Sequence, residues 1–169
     1  MLSTFDRTLI RVNRWAVIAI LAAMASMVFA NVALRFLTDR SILWVEEVSR
    51  YLMIWLTFLG AGLVLRYGGH IGIDTLQERC PGIASQIRLA IFVVMLAFFA
   101  VMLWLGLRYA AFTWDQTTPV LQIPIGAVYL AMPIGFALLI VHALLMAIPY
   151  VRSRRVLADA EFDADAVKL

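Results

Sequence analysis

The chain has 169 residues, 64% of them hydrophobic and 15% charged, with a formal net charge of +3. A water-soluble domain carries roughly 25% charged residues and cannot hide this much apolar surface in one small core, so a soluble enzyme is excluded. No segment joins a basic patch to a soluble fold, which argues against a nucleic-acid partner.

Lipid is the solvent that suits such a chain, and lipid admits only helices or closed barrels. Barrel strands alternate apolar and polar residues, whereas this sequence has long unbroken apolar runs. The expected fold class is an all-α integral membrane protein: four transmembrane helices plus short interfacial amphipathic helices. The spans are expected at about 15–36, 48–65, 87–107 and 124–150, within one domain covering 1–155. Each has about 18 residues or more, enough to cross roughly 30 Å of hydrocarbon.

The first run starts behind Arg7, Arg11 and Arg14 and meets no charge until Arg35. Its basic start and Ala23-Met24-Ala25 imitate a cleaved signal, but the apolar run continues about ten residues further, so it reads as a retained span. Asn31 and Arg35 share a face. The connection from Leu37 to Glu47 follows, with Ser41 a candidate N-cap. Ile42, Leu43, Trp44 and Val45 are too apolar for a free loop and suit a short helix in the outer interface.

Glu46 and Glu47 fall where the dipole of the second span favours acids, and Glu46 and Arg50 fall four apart on one face. Charges this close to hydrocarbon are costly. Snorkelling to the headgroups is one reading. The other, preferred for Asn31, Arg35, Glu46, Glu47 and Arg50 together, is a polar cluster holding helices to each other or to a partner. Trp55, near mid-span, with Gly60 and Gly62, marks a helix-packing face.

The next loop contains His70 and Asp74, too few ligands for a zinc site, and Cys80, the single cysteine, which has no intrachain partner. The third span is apolar apart from Arg88 near its start. Trp114 to Pro124, with Asp115, Gln116 and Thr118, form an exposed, polar outer loop that suits equally a surface receiving a partner and a plain connector. The fourth span carries His142, and Pro133 gives it a reason to kink. Trp15, Trp44, Trp104 and Trp114 lie at the expected interfaces as an aromatic belt. Residues 156–169 form an acidic, solvated tail expected to be disordered.

Ten of the fourteen basic residues fall on the side holding the termini, which places both termini in the cytoplasm. No P-loop, nucleophile elbow or paired-histidine motif occurs, no acid lies at the middle of a span and no internal repeat is visible. Four helices with no buried ionic site read as a scaffold or accessory subunit without catalytic residues, metal or cofactor.

Asn31-Val32, Arg35-Phe36, Ser41, Trp44, Glu46-Glu47, Arg50, Trp55 and Phe58-Leu59-Gly60 carry a resemblance. Arg66, His70-Ile71, Asp74, Pro119, Leu121, Pro124, Tyr129, Pro133 and Gly135 continue it. Over about residues 10–150 the chain resembles the small membrane subunit, the Q subunit, of tripartite ATP-independent periplasmic (TRAP) transporters. Trp-x-Glu-Glu-x-x-Arg is the most specific part, and Phe36 stands where Tyr is commoner.

The resemblance implies a bacterial inner-membrane location and two partners: a large membrane subunit holding the substrate and sodium sites, and a periplasmic binding protein. It implies sodium-driven uptake of a small organic acid, dicarboxylate or sialic-acid in class, with this chain as a brace and membrane lipids around it. It also implies that Arg35, Glu46, Glu47 and Arg50 fix the partner contact. Two alternatives stand beside it: an anchor subunit of a membrane redox enzyme, and a small multidrug carrier, which the lack of a mid-span glutamate in the first helix disfavours.

Overall fold

A computed structural model describes residues 4–66 and 84–153. The loop with His70, Asp74 and Cys80 and the tail from 154 onward lie outside the described residues. Among the described residues five helices follow in order: α1 (Thr4–Thr38), α2 (Leu43–Arg66), α3 (Ala84–Phe112), α4 (Ile125–Tyr129) and α5 (Ala131–Ser153). Four are long and apolar enough to cross a membrane.

α1 has 35 residues, about 50 Å at 1.5 Å per residue, and so outruns the hydrocarbon by several turns. It begins eleven residues before the expected span, and its first turns carry the basic cluster. It stops at Asp39, whose φ of 53° is left-handed; its N–H bonds the Arg35 carbonyl at 3.1 Å, a C-terminal cap usually given to glycine. Asn31 then reaches forward, its Oδ1 accepting the Ile42 N–H at 2.7 Å.

The separate interfacial helix expected over Ile42–Val45 is not formed. Leu43, Trp44 and Val45 are the first residues of α2, with Val45 2% exposed, because burial against the molecule suits them better than a detached turn. Ser41 accordingly precedes Ile42 rather than capping the helix.

The expected fourth span divides. Pro124 opens the single turn of α4, Leu130 joins it to α5, and Pro133 occupies the first turn of α5, where a missing N–H costs no helical bond.

The helices stand in a row: α1 packs on α2, α2 on α5 and α5 on α3, while α4 lies against the end of α3. α5 is flanked on both sides and carries the core. Its Phe136 ring stands 5.9 Å from Phe58, 6.2 Å from Phe98 and 5.9 Å from Phe99. Leu65, Phe92, Leu139 and Ala143 complete the buried cluster. Where hydrocarbon surrounds a helix there is little hydrophobic gain in pairing, so close backbone approach matters. A Cβ at Gly135 would lie 2.6 Å from Phe58 Cβ, and one at Gly126 would lie 2.4 Å from the Ala110 carbonyl oxygen. Only glycine permits those two crossings at their present spacing. Elsewhere the row exposes large apolar side chains, such as Phe29 at 76% and Phe112 at 76%, an arrangement suited to lipid.

Candidate functional site

Two polar assemblies sit at opposite ends of α2. At its start, Glu47 is 4% exposed. Its Oε1 accepts the Tyr51 hydroxyl at 2.9 Å, and its Oε2 accepts the Val120 N–H at 2.9 Å. Val120 belongs to the loop between α3 and α4, which folds as a small hairpin. Thr118 N–H donates to the Ile123 carbonyl at 2.9 Å, Ile125 N–H to the Gln116 carbonyl at 2.8 Å, and Thr117 bridges Pro124. Gln122 turns the chain with a φ of 55°. A carboxylate four residues into a span therefore anchors a loop 73 residues away.

The sequence-selected residues separate around this anchor. Glu47 faces the loop. Asn31, Arg35 and Glu46 instead line a cleft of about 180 Å³ between α1 and α2, with Ser41 and Val45. Arg50 lines a second cleft further along the same groove, with Met24, Val28, Ser49 and Met53. Among the described residues Glu46 and Arg50 form no ion pair, with each other or elsewhere. Thr118 is wholly buried as part of the hairpin, while Asp115 and Gln116 are exposed. Burial removes Thr118 from the surface offered to a docking protein.

Of the expected packing face, Gly62 is in contact: a Cβ there would meet His142 Cδ2 at 2.7 Å. Gly60 has nothing within 4 Å of its Cβ position and faces open space, and Trp55 is half-buried. Trp15, Trp44, Trp104 and Trp114 all lie at the surface, and Arg108 stacks 5.1 Å over Trp104.

The second assembly corrects the expectation of no buried ionic site. At the far end of α2, Arg66 is 1% exposed, Asp6 2% and His142 0%. The Arg66 guanidinium is paired with both Asp6 oxygens, Nη1 donating to Oδ2 at 3.0 Å and Nη2 bonded to Oδ1, and its Nε donates to His142 Nδ1 at 3.1 Å. Asn13 Nδ2 donates to the Leu59 carbonyl at 3.1 Å on the neighbouring turns.

A guanidinium cannot accept a hydrogen bond, so His142 Nδ1 presents its lone pair and the ring proton sits on Nε2. The assembly thus ties α1, α2 and α5 together at one end. Sequence reading missed it because Asp6 and Arg66 lie outside the apolar runs and 60 residues apart. The only available signal was the basic residue ending α2 and the histidine inside an apolar span. His142 has Nδ1 engaged by Arg66 and no exposed surface, and Gly62 packs along its Cδ2–Nε2 edge.

Among the described residues no three potential metal ligands cluster. Each buried acid described above serves a structural contact, Asp6 with Arg66 and Glu47 with the hairpin.

Comparison with known proteins converges with this architecture. Residues 24–152 match the family model described as tripartite ATP-independent periplasmic transporters, DctQ component. The ectoine TRAP transporter small permease protein TeaB of Halomonas elongata is 31% identical over 138 residues, 79% of this chain and 70% of TeaB. The C4-dicarboxylate TRAP transporter small permease protein DctQ of Vibrio cholerae is 25% identical over 177 aligned positions, 88% of this chain and 76% of that protein. The isethionate TRAP transporter permease protein DctMQ of Oleidesulfovibrio alaskensis is 32% identical over 104 residues, 60% of this chain but 16% of that one. The chain belongs to the DctQ family, the small permease subunits of TRAP transporters, multi-pass proteins of the bacterial inner membrane that work with a large membrane subunit.

Proposed function

We propose that this chain is the static support of its large membrane subunit during sodium-driven, binding-protein-dependent uptake of a small organic acid. The observation that carries this reading is the use of its buried acids. Asp6 and Glu47 hold helices and loop together, which leaves the chain a braced row of spans with broad open faces. A carrier needs an ionic group able to bind and release its ion, and that chemistry falls to the partner subunit. Sodium belongs there too.

In this reading both termini are cytoplasmic, and the hairpin held by Glu47 is periplasmic, where Asp115 and Gln116 touch the docked binding protein. Relatives named for ectoine, isethionate and C4-dicarboxylates support a small charged organic solute. The reading classes the chain as a non-enzyme.

Reconstitution tests this. Liposomes holding both membrane subunits, supplied with the binding protein and a sodium gradient, take up a small organic acid. Omitting this chain abolishes uptake. Saturable, ion-driven flux through this chain alone overturns the reading.

A further inference from the structure

Two buried polar atoms beside the Asp6–Arg66–His142 assembly have their chemistry fixed by bonds already made. Asn13 is 4% exposed and His142 0%. Asn13 gives its Nδ2 to the Leu59 carbonyl, which only a donor can satisfy, so the atom that remains is Oδ1, an acceptor. His142 accepts from Arg66 Nε at Nδ1, so Nε2 carries the ring hydrogen and remains as a donor. Among the described residues neither Asn13 Oδ1 nor His142 Nε2 has a hydrogen-bond partner. Native interiors leave few such atoms unpaired, and hydrocarbon offers them nothing.

Both side chains converge on Gly62. The point where a Cβ would stand there lies 3.3 Å from His142 Nε2 and 3.5 Å from Asn13 Nδ2. A donor and an acceptor, each without a partner, therefore flank one spot on α2 at which the chain carries no side chain.

The charge and size of the spot select its occupant. A cation would face the Nε2–H, and an anion would face the amide oxygen. An apolar group would satisfy neither. His142 Cδ2, 2.7 Å from the same point, leaves room for one small heavy atom set slightly away from the ring, and for nothing larger. Water accepts on one side and donates on the other.

We propose that one structural water is bound beside Gly62, accepting from His142 Nε2–H and donating to Asn13 Oδ1. It closes a hydrogen-bonded chain that runs from Asp6 through Arg66, His142, the water and Asn13 to the Leu59 carbonyl. The chain begins on α1, crosses α2 to α5 and returns through α1 to α2. It fixes the rotation and height of three helices where apolar contact with lipid competes on equal terms with apolar contact between helices. Glycine at position 62 then serves the water as well as the ring.

Solid-state NMR of the full chain in phospholipid bilayers, with 15N-labelled histidine, tests this. The chain has two histidines, and His70→Gln leaves only the signals of His142. The expected spectrum has Nδ1 unprotonated, Nε2 protonated, and magnetisation passing from water to the Nε2 hydrogen. Asn13→Leu and Gly62→Ala are each expected to abolish that transfer, with Nδ1 still unprotonated in Asn13→Leu because Arg66 still holds it. Gly60→Ala, which has nothing within 4 Å of its Cβ position, leaves the transfer unchanged.

A proton on Nδ1, no transfer from water in the unmodified chain, or a direct contact from the Nε2 hydrogen to the Asn13 amide overturns the proposal. So does full transfer surviving both Asn13→Leu and Gly62→Ala. Should neither variant fold, the transfer in the unmodified chain decides alone.

Discussion

Glu47 Oε2 accepts the backbone N–H of Val120 at 2.9 Å, joining the start of one membrane helix to the tip of a loop on the opposite side of the sequence. The same carboxylate receives the Tyr51 hydroxyl. Removing it takes the acceptor from two part-buried donors at once, the Tyr51 hydroxyl and the Val120 N–H.

Glu47→Ala is therefore expected to raise hydrogen exchange at Val120 by about tenfold or more while leaving α5 protected. Tyr51→Phe, which removes one donor and keeps the loop bond, should raise it far less. Equal protection in all three proteins would show that the hairpin holds itself.

Asp6 and Arg66 form a buried pair, and removing one partner leaves the other charged and unsolvated. Asp6→Ala or Arg66→Ala is expected to lower stability by about 3–5 kcal/mol. The double variant Asp6→Leu with Arg66→Met should lose less than the two single effects added together. Thermal melts of the detergent-solubilised protein measure both, and strict additivity would argue against coupling.

The glycines offer an internal comparison. Gly135→Ala and Gly126→Ala press a methyl group into backbone atoms of Phe58 and Ala110, which cannot rotate away. Each is expected to cost about 1–3 kcal/mol. Gly62→Ala meets the His142 ring and should also destabilise. Gly60→Ala meets nothing and should be neutral or stabilising by up to about 1 kcal/mol, as in any exposed helix. Melting temperatures of the four variants rank them.

The turn between α1 and α2 rests on Asn31 and on the positive φ of Asp39. Asn31→Ala should cost about 1 kcal/mol by leaving the Ile42 N–H without its acceptor. Asp39→Gly should be neutral or mildly stabilising, and Asp39→Val destabilising, because a β-branched residue resists the left-handed region. Chemical denaturation of the three variants checks the order.

The four spans were legible because hydrophobic length is written locally, and the family because Trp44, Glu46, Glu47 and Arg50 keep a close spacing. Element edges were less so. The start of α1 carries Arg7 and Arg11, which a hydropathy reading removes from a span although a helix continues through them. Nor does local sequence show that Glu46 and Glu47, adjacent and chemically alike, would face a cleft and a loop respectively. Helical rotation of about 100° per residue separates them, and only the position of the hairpin decides which is buried. The Asp6–Arg66–His142 assembly depends on three helix ends meeting, a property of packing rather than of any segment.

The order of the row has a consequence for biogenesis. α2 finds its second neighbour in α5, which is synthesised after α3, and not in α3 itself. The contacts group the four long helices of the described residues into two pairs adjacent in sequence, α1 with α2 and α3 with α5. Their common seam, with Phe58 against Gly135 and Arg66 against His142, can close only once synthesis has delivered α5. Until then Arg66 lacks its histidine, and the two pairs have no polar tie between them at this end.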